Sequence, residues 1–329
     1  MPGVGAARDR CGNLRAMSPT TALPAPVSDE HAARLVSTVT SWYAGQARDL
    51  PWRDGRASPW GVLVSEVMLQ QTPVVRVAPA WAAWMRRWPT PTALADADPA
   101  DVLHQWDRLG YPRRALRLQE CAHVIRDRHD GQVPTDPAAL RELPGVGEYT
   151  TAAVTAFAHG GRALVIDTNI RRVLVRVLAG KAQPGPATTA RQRQLAEAVL
   201  PAGTASSVAW NQAVMELGAL VCTARSPRCE QCPVAGTDCA WFAAGKPADE
   251  GPRPPAQRFE GTDRQMRGRI MALLRRSHAS APTDPGAGVE HAALLDLDPE
   301  DAPRVERCLN GLLADGLARR TSAGLLRLP

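Results

Sequence analysis

The sequence predicts a mainly α-helical protein, on three observations. Apolar residues recur at helical spacing through the long segment 28–245, proline and glycine interrupt that pattern at short intervals, and no segment alternates clearly as a strand does. The chain has 329 residues, of which 44% are apolar and 22% are charged. This length and composition are typical of a globular protein of two or three domains. We expect no membrane partner, since no apolar run approaches the roughly 18 residues of a membrane span.

The N-terminal residues 1–27 carry charges and prolines but no apolar stretch of the kind found in a secretory signal. We expect them to form a disordered leader. Three cysteines, Cys11, Cys121 and Cys308, stand singly along the chain, which argues against a disulfide framework and indicates a reducing, cytoplasmic location. The net charge of +6 is compatible with a nucleic-acid partner but does not indicate one by itself.

The helical segment opens at Ser28, a residue type that often caps helices, and Leu35, Val39 and Tyr43 follow at helical spacing. These residues predict a first helix with one apolar face turned toward a core. Similar spacing continues to residue 245, so we interpret 28–245 as one helical domain.

A proline- and charge-rich segment, residues 246–263, has the composition of a linker. The tail that follows, residues 264–329, contains two segments, RGRIMALLRRS and RVERCLNGLLADGLA, that predict amphipathic helices. The last segment, LARRTSAGLLRLP, predicts a short hairpin around residues 322–324. Helices followed by a terminal hairpin favour a small winged-helix-like domain.

Four cysteines lie within one stretch, residues 222–239, with gaps of six, two and six residues between them. In a reducing compartment such a cluster indicates a metal site. Structural zinc usually takes two closely spaced pairs, and only the middle pair here has that spacing. A 4Fe–4S cluster accepts ligands from a looser loop, so the spacing favours iron–sulfur over zinc. The proposed ligands are Cys222, Cys229, Cys232 and Cys239.

The segment LRELPGVGEYTTAAVTAFA predicts two helices joined by a tight turn. Gly145 and Gly147 lie in that turn, and two glycines one residue apart allow backbone angles that a side chain would forbid. Such a turn can present consecutive N–H groups at the start of the second helix, where they bind a phosphate. A glycine-rich helix corner that binds nothing is the alternative.

Three motifs, LPGVGEYTTAA, VIDTNIRRVL and the cysteine loop, together resemble the helix-hairpin-helix DNA glycosylases of the endonuclease III superfamily. Four more, LPWR, SEVMLQQT, LGYPRRA and WNQAVMELGALVC, are similar to the adenine DNA glycosylase branch. The resemblance covers roughly residues 30–245. It implies the helix-hairpin-helix glycosylase fold, a 4Fe–4S cofactor, and excision of adenine from double-stranded DNA at A:8-oxoguanine or A:G mispairs. We also expect a monomer.

Breaking an N-glycosidic bond builds positive charge on the sugar and requires a proton for the leaving base. Two carboxylates in different surroundings meet both needs. Glu66 lies in the apolar segment WGVLVSEVMLQQT, where burial would raise its pKa and make it an acid; a glutamate on a solvated helix face is the alternative. Asp167 opens a helix, where it is expected to stay ionised; an ordinary helix cap is its other interpretation, and both can hold.

The resemblance assigns a role to each of these residues. It makes Glu66 the acid that protonates an adenine ring nitrogen and positions water. It makes Asp167 the group that stabilises the sugar cation or bonds to it transiently. Tyr149 matches a tyrosine beside these carboxylates, and Asn169 matches an asparagine that hydrogen-bonds near the site.

The resemblance also implies contacts with the base and the duplex. Trp52, Arg53 and Gln212 match residues that line the pocket of the extruded adenine, and Gln70 matches a glutamine that inserts into the duplex. Simpler interpretations are a core position for Trp52, a surface charge for Arg53 and a polar helix end for Gln70. Two arginine pairs near the proposed site are candidates for phosphate contacts or for ordinary solvated charges: Arg113 and Arg114, and Arg171 and Arg172.

Three features depart from the family. The last gap between the clustered cysteines is one residue longer than is usual in bacterial members. Pro112 stands where the family has a second tyrosine that wedges beside 8-oxoguanine, which leaves that wedge unassigned. The tail of about 66 residues is shorter than the strand-rich, Nudix-like domain that reads 8-oxoguanine in the family, and the pair Ser277-His278 resembles a pair in that domain only by chance.

Two other functions fit parts of the pattern. A bifunctional glycosylase and lyase for oxidised pyrimidines needs a lysine amine to form a Schiff base, and Tyr149 occupies the matching position. A non-catalytic iron–sulfur DNA-binding protein would not need two carboxylates, so the presence of both argues against it.

Overall fold

The computed structural model describes residues 27–53, 55–248, 258–284 and 286–329. The expectation of a disordered leader concerns residues that, apart from residue 27, lie outside the described part. Half of the predicted linker lies outside it as well.

Helices dominate the described residues, which confirms the predicted fold class. Three short 3₁₀ turns, at residues 107–109, 229–231 and 299–301, join longer elements, and one hairpin lies at the C-terminal end. Among the described helices, none has the length and hydropathy that a membrane span requires. In chain order the elements are α1 Asp29–Gln46, α2 Pro59–Leu69, α3 Val74–Arg87, α4 Pro91–Ala95, α5 Pro99–Trp106, α6 Arg113–Arg128, α7 Pro137–Glu142, α8 Glu148–Phe157, α9 Thr168–Ala179, α10 Ala190–Ala198, α11 Thr204–Leu220, α12 Ala240–Ala243, α13 Asp263–Ser280, α14 His291–Leu295, α15 Ala302–Ala314, β1 Arg319–Arg320 and β2 Leu326–Arg327.

Polar caps set the starts of the helices that matter for the site. The Ser28 hydroxyl accepts a hydrogen bond from the His31 N–H, as the sequence predicts, and α1 buries Leu35 and Val39. Ser58 caps α2 in the same way. Capping satisfies N–H groups that have no partner inside the helix, so these positions fix where each helix begins.

Two apolar clusters form the core. The first is rich in tryptophan: the ring of Trp84 meets those of Trp88 and Trp106 edge to face, with centroids 4.6 and 5.5 Å away. The second packs α1, α9 and α11 together. Helix α2 belongs to the first cluster and contacts α8, whose C-terminal half contributes to the second. The junction of the two clusters therefore lies beside α2 and α8.

The tail forms helices α13, α14 and α15 followed by the hairpin β1–β2. Val289 pairs with Leu326 as an isolated bridge, which adds a third extended position beside the hairpin. The helices and the hairpin agree with those predicted for the tail, while the winged-helix-like domain stays a prediction. The tail residues Met266 and Ile270 join the first apolar cluster, and His278 Nε2 lies 2.8 Å from a carboxylate oxygen of Asp101 on α5. The tail thus packs directly on the helical part, while the division into separate domains stays a prediction.

A close approach of α11 to the start of α9 depends on Gly218. A β-carbon at Gly218 would stand 2.7 Å from the β-carbon of Asn169 and 2.9 Å from its carbonyl oxygen. Since neither backbone can move without shifting its whole helix, only glycine fits at this position.

We therefore expect Gly218→Ala to lower the free energy of unfolding by on the order of 1–3 kcal/mol through overpacking. Gly45→Ala is the control, because Gly45 lies in α1 with nothing within 4 Å of an added β-carbon. That change should leave stability unchanged or raise it by roughly 0.5–1 kcal/mol. Urea denaturation of both variants measures the difference, and equal midpoints would contradict the packing argument.

Candidate active site

A cavity of about 290 Å³ lies at the junction of the two apolar clusters, with walls from α2, α8, α9, α11 and the loop before α2. The structure brings seven of the predicted site residues to its lining: Trp52, Arg53, Glu66, Tyr149, Asp167, Asn169 and Gln212. Trp52 also packs edge to face on Trp81, with ring centroids 5.7 Å apart, so it is a core residue and a wall of the cavity at once.

Glu66 is 6% exposed on α2, so the interpretation as a glutamate on a solvated helix face is wrong. Its Oε2 accepts a hydrogen bond of 2.8 Å from the hydroxyl of Tyr149. Burial raises the pKa of Glu66 to about 7, although the Tyr149 hydrogen bond stabilises the carboxylate and opposes that rise. Burial also raises the pKa of Tyr149 well above its usual value, so this hydroxyl stays protonated and remains a donor. Glu66 can therefore carry a proton near neutral pH and give it up.

Asp167 caps α9, as the sequence predicts. Its Oδ1 accepts a hydrogen bond of 2.6 Å from the Ile170 N–H, and its Oδ2 accepts one of 2.7 Å from Asn169 Nδ2. Burial raises the pKa of Asp167, against the lowering effect of these hydrogen bonds. Burial therefore affects the pKa of Asp167 more than its position at the start of a helix does. Asp167 accepts more hydrogen bonds to its charged form than Glu66 does, and each such bond favours the carboxylate.

A chain of hydrogen bonds joins Asp167 to the cysteine loop. Asn169 Oδ1 accepts a bond of 2.8 Å from Arg172 Nη2, and Arg172 Nε donates a bond of 2.7 Å to the carbonyl of Cys222. Arg171 is buried as well and donates to loop carbonyls, including that of Ala187 at 2.6 Å. Both predictions for this arginine pair, phosphate contact and solvated charge, are wrong, because both side chains are buried and donate to backbone carbonyls and side-chain amide oxygens.

Sequence reasoning missed two charged residues at the cavity: Arg48, which lines it, and the buried Glu216, which pairs with Arg48. Glu216 is fully buried and accepts hydrogen bonds from Arg48 Nε at 2.7 Å and from Arg53 Nη2 at 2.8 Å. Burial alone would raise the pKa of Glu216, but these two arginines outweigh it and lower the pKa to about 2. The signal was present, since Glu216 stands between Met215 and Leu217 as Glu66 stands among apolar residues.

Arg53 is not the surface charge of the simpler interpretation. Its side chain is 10% exposed, and it lines the cavity. In the part of the chain that the structure describes, Arg53 Nη1 is buried without a hydrogen-bond acceptor. A buried donor without a partner is costly, so this nitrogen can donate to a molecule that fills the cavity.

Gln70 lies outside the cavity, directly after the C-terminal end of α2. It lines a groove of about 350 Å³ together with Tyr111, Arg113, Arg117 and Gly145. The structure thus places the predicted duplex contact in a groove that is distinct from the predicted base pocket.

The hairpin glycines behave differently from each other. Gly145 has a φ of +80°, in the region that favours glycine, as predicted. Gly147 has a φ of −94°, which any residue adopts, so only Gly145 uses the conformational freedom of glycine. Gly147 caps α8 without a side chain, and nothing lies within 4 Å of an added β-carbon. Its smallness leaves open space at the start of α8, which suits the approach of a phosphate.

The other arginine pair, Arg113 and Arg114, divides between two roles. Arg114 donates to the carbonyls of Val67 and Gly110, at 2.9 and 3.0 Å, and fixes the end of α2 against the loop before α6. It is neither a phosphate contact nor a solvated charge. Arg113 is exposed in the groove and reaches Asp315 of the tail at 3.3 Å.

The four clustered cysteines line a single cavity beside α9 and α12. Arg176 is buried there: its Nη1 lies 3.3 Å from Cys222 Sγ, and its guanidinium lies 4.6 Å from the ring centre of Trp241. Among the described residues, Arg176 makes no ion pair, so an anionic group beside it would compensate a buried charge. The four cysteines line one small space beside a buried cation, so their thiolates can together hold an anionic 4Fe–4S cluster.

Family models match both parts of this architecture. Residues 64–198 match the HhH-GPD superfamily base excision DNA repair proteins, and residues 222–239 match the iron-sulfur binding domain of endonuclease III. The class that the fold and the site define is thus a helix-hairpin-helix base-excision DNA glycosylase that carries a 4Fe–4S cluster.

Comparison with similar proteins shows to which family of DNA glycosylases the chain belongs. Adenine DNA glycosylase of Mycobacterium tuberculosis H37Rv is 47% identical over 293 residues, covering 89% of this chain and 93% of that protein. The Mycolicibacterium smegmatis enzyme of the same name is 48% identical over 88% of this chain and 94% of its own length. The human one is 42% identical over 64% of this chain and 41% of its own length. The chain belongs to the adenine DNA glycosylase family.

Solved structures agree with the fold. A thermostable thymine-DNA glycosylase superposes with a TM-score of 0.59 at 27% identity, over 66% of this chain and 98% of that one. A trapped endonuclease III–DNA covalent intermediate superposes with a TM-score of 0.57 at 20% identity, over 67% of this chain and 99% of that one. The second likeness concerns the fold alone.

The raised pKa of Glu66 predicts the pH dependence of base release. If Glu66 acts as the acid, the single-turnover rate should fall about tenfold per pH unit above pH about 7, because the group must be protonated. Tyr149→Phe removes a hydrogen bond that lowers this pKa, so the alkaline limb should move to higher pH even if the rate itself drops. Tyr111→Phe, outside the cavity, is the control. An unmoved limb in Tyr149→Phe would contradict the assignment.

The cysteine loop predicts the iron content and the colour of the purified protein. Protein purified without oxygen should be brown, absorb broadly in the visible range and hold about four irons per chain. Cys229→Ser should lose iron, since it removes one ligand, whereas Cys121→Ser, a buried thiol outside the loop, should keep it. Iron analysis and absorption spectra measure both variants. Colourless protein with one zinc per chain would refute the cluster.

Proposed function

We propose that this enzyme removes adenine from double-stranded DNA where adenine is mispaired with 8-oxoguanine or guanine, by acid-assisted hydrolysis and without cutting the strand. The observation that carries the proposal is the pairing of Glu66, whose pKa is about 7, with the more strongly hydrogen-bonded Asp167 in one cavity. Adenine is a neutral leaving group only after it gains a proton, so its excision needs this pair.

In the proposed mechanism Glu66 donates its proton to a ring nitrogen of the extruded adenine. The bond between the sugar carbon and the base nitrogen then breaks, and its electron pair leaves with the base. Positive charge spreads over the sugar, where Asp167 stabilises it. Water adds to the sugar carbon, and its proton passes to the Glu66 carboxylate, which restores the acid. Tyr149 orients Glu66, and Asn169 orients Asp167.

The rest of the cavity suits a purine. The flat wall of Trp52 offers a surface for stacking, and Gln212 offers both a donor and an acceptor to the base edge. Arg53 Nη1 is the buried donor that still lacks an acceptor in the described chain. A bound base would satisfy it.

The proposal that the enzyme leaves the strand intact is based on the number and the location of the lysines in the chain. The sequence contains only Lys181 and Lys246, which follow α9 and α12 near the cysteine loop and do not line the cavity. Tyr149 stands beside Glu66 instead, and a phenol cannot form a Schiff base with the sugar. This supports a monofunctional glycosylase over the bifunctional alternative.

Duplex contacts are proposed for Gln70 and for the hairpin residues Gly145 and Gly147. Gln70 lies at the end of α2 in the groove, and the two glycines leave the start of α8 open to a phosphate. We propose a monomer that acts on chromosomal DNA in the cytoplasm.

Single-turnover assays on duplexes with A:8-oxoguanine, A:G, T:G and thymine glycol test the proposal. Adenine should leave A:8-oxoguanine fastest and A:G more slowly, with the strand intact until alkali is added. The other two duplexes should stay unprocessed. Glu66→Gln and Asp167→Asn should each abolish release while duplex binding persists, and the double variant should lose little more, because the two groups act as one unit.

Efficient borohydride trapping of the wild type, or release from thymine glycol, would favour the bifunctional enzyme. Tight binding without release from any duplex would favour a non-catalytic DNA-binding protein.

A further inference from the structure

The hairpin β1–β2 at the end of the tail is anchored firmly at its base. Its strands are antiparallel, and Val289 bridges to Leu326 on the far side of β2. Among the described residues, β1 therefore pairs on one side only and forms the edge of this small sheet. Leu326 and Leu328 are buried in the first apolar cluster, as is Leu317 before β1. Because both strands are anchored in the core, the hairpin keeps a fixed position on the tail.

Two arginines face each other across this hairpin. Arg319 stands directly opposite Arg327 in the register of the strands, and residues in such positions project from the same face of a sheet. Like charges in this arrangement destabilise the strand pair. Arg320 adds a third cation near the turn, where it donates to the carbonyl of Gly324 at 3.1 Å. The segment 317–329 contains these three arginines and no acidic residue that could balance them.

The rest of the described chain leaves the charges of β1 unbalanced. Arg319 and Arg320 are exposed, and neither forms an ion pair with another described residue. Charged side chains on an edge strand often prevent its pairing with another chain, which explains arginine in β1. That role does not explain Arg327 on the inner strand β2, whose guanidinium also donates to the carbonyl of Asp284 at 3.2 Å. An anion bound between Arg319 and Arg327 would replace their repulsion by attraction to a shared partner.

The hairpin begins beside the groove that contains Gln70. Arg113 lines this groove and lies 3.3 Å from Asp315, the residue that follows α15. Arg319 is four residues beyond Asp315, so the α-carbons of the two are at most roughly 14 Å apart. Duplex DNA carries one phosphate charge for every ~1.7 Å of its axis, so a duplex in the groove has further phosphates within this distance. The position of the hairpin thus suits contact with the DNA backbone beyond the groove.

We propose that the hairpin β1–β2 binds the phosphate backbone of the duplex on one side of the mispair. Arg319 and Arg327 share one phosphate, and Arg320 contacts a neighbouring one. The partner is duplex DNA of any sequence, because phosphates carry no sequence information. The hairpin adds affinity and leaves the choice of base to the cavity. This inference rests on the proposed function only in taking a duplex as the substrate.

The salt dependence of binding tests the phosphate contacts. The probe is a duplex several helical turns long with a non-cleavable adenine analogue opposite 8-oxoguanine, and fluorescence anisotropy gives its affinity at several salt concentrations. The slope of log K against log salt should become shallower by about 0.9 in Arg319→Gln and by about twice that in Arg319→Gln/Arg320→Gln, since each change removes one phosphate contact.

Arg128→Gln is the matched control. Arg128 is an exposed arginine at the opposite end of α6 from Arg113, ~22 Å along the helix, so it lies away from the groove. Its substitution removes the same charge from the protein and should leave the slope as in the wild type. A general effect of net charge would instead change the slope equally in all variants and would overturn the inference.

Hydroxyl-radical footprinting locates the contact on the DNA. The wild type and Arg128→Gln should protect backbone positions on one side of the mispair that Arg319→Gln/Arg320→Gln leaves open. Trimming the duplex on that side should remove the difference in affinity between wild type and variant, while trimming the other side should preserve it. The ratio of the release rates opposite 8-oxoguanine and guanine should be the same in all of these proteins, because the hairpin contacts no base.

The outcomes separate this inference from the proposed function. An unchanged slope and footprint in Arg319→Gln/Arg320→Gln would overturn the contact. Aggregation of that variant with normal DNA binding would do so too, since the charges would then only keep the edge strand unpaired. A wild type that shows the expected slope and footprint but releases no adenine would leave the hairpin contact standing and would refute the proposed function instead.

Discussion

The start of α9 is the constraint on which the site depends. Asp167 is held there by the Ile170 N–H and by Asn169, and Asn169 is held in turn by Arg172. Arg172 also donates to the carbonyls of Gly218 and Cys222, both at 2.7 Å. One guanidinium thus fixes the carboxylate, the neighbouring helix α11 and the first residue of the cysteine loop. The iron–sulfur loop acts as part of the scaffold that sets the position of Asp167, even though it stands apart from the cavity.

The raised pKa of Glu66 also has a consequence for folding. A carboxyl with a pKa of about 7 when folded and about 4.5 when unfolded binds its proton more tightly in the folded state. Its contribution to stability is fully present below pH 4.5, falls as the unfolded chain releases the proton first, and is lost above pH 7. The difference amounts to roughly 3 kcal/mol. The raised pKa that would let Glu66 protonate a base near neutral pH therefore also means that the fold is less stable at neutral pH than at low pH.

Much of the fold and of the site could be predicted from the sequence, because the signals were local. Glu66 in an apolar helix, Asp167 at a helix start and the spacing of the cysteines each point to one kind of environment. The arginines could not be placed in this way. A long side chain can reach solvent, phosphate or a distant carbonyl, and only the packing of Arg114, Arg171 and Arg172 shows that carbonyls take them up.

The two buried glutamates show why the cavity can support the proposed chemistry. Burial acts on both, yet Glu216 with two arginines has a pKa of about 2 and Glu66 with one tyrosine has a pKa of about 7. Before reaction, protonated Glu66 carries no charge. In the proposed reaction Glu66 becomes negative as positive charge appears on the sugar, so the net charge of the site stays the same. The reaction thus moves charge within a buried site and creates no net charge there, which keeps the desolvation cost low where water is excluded.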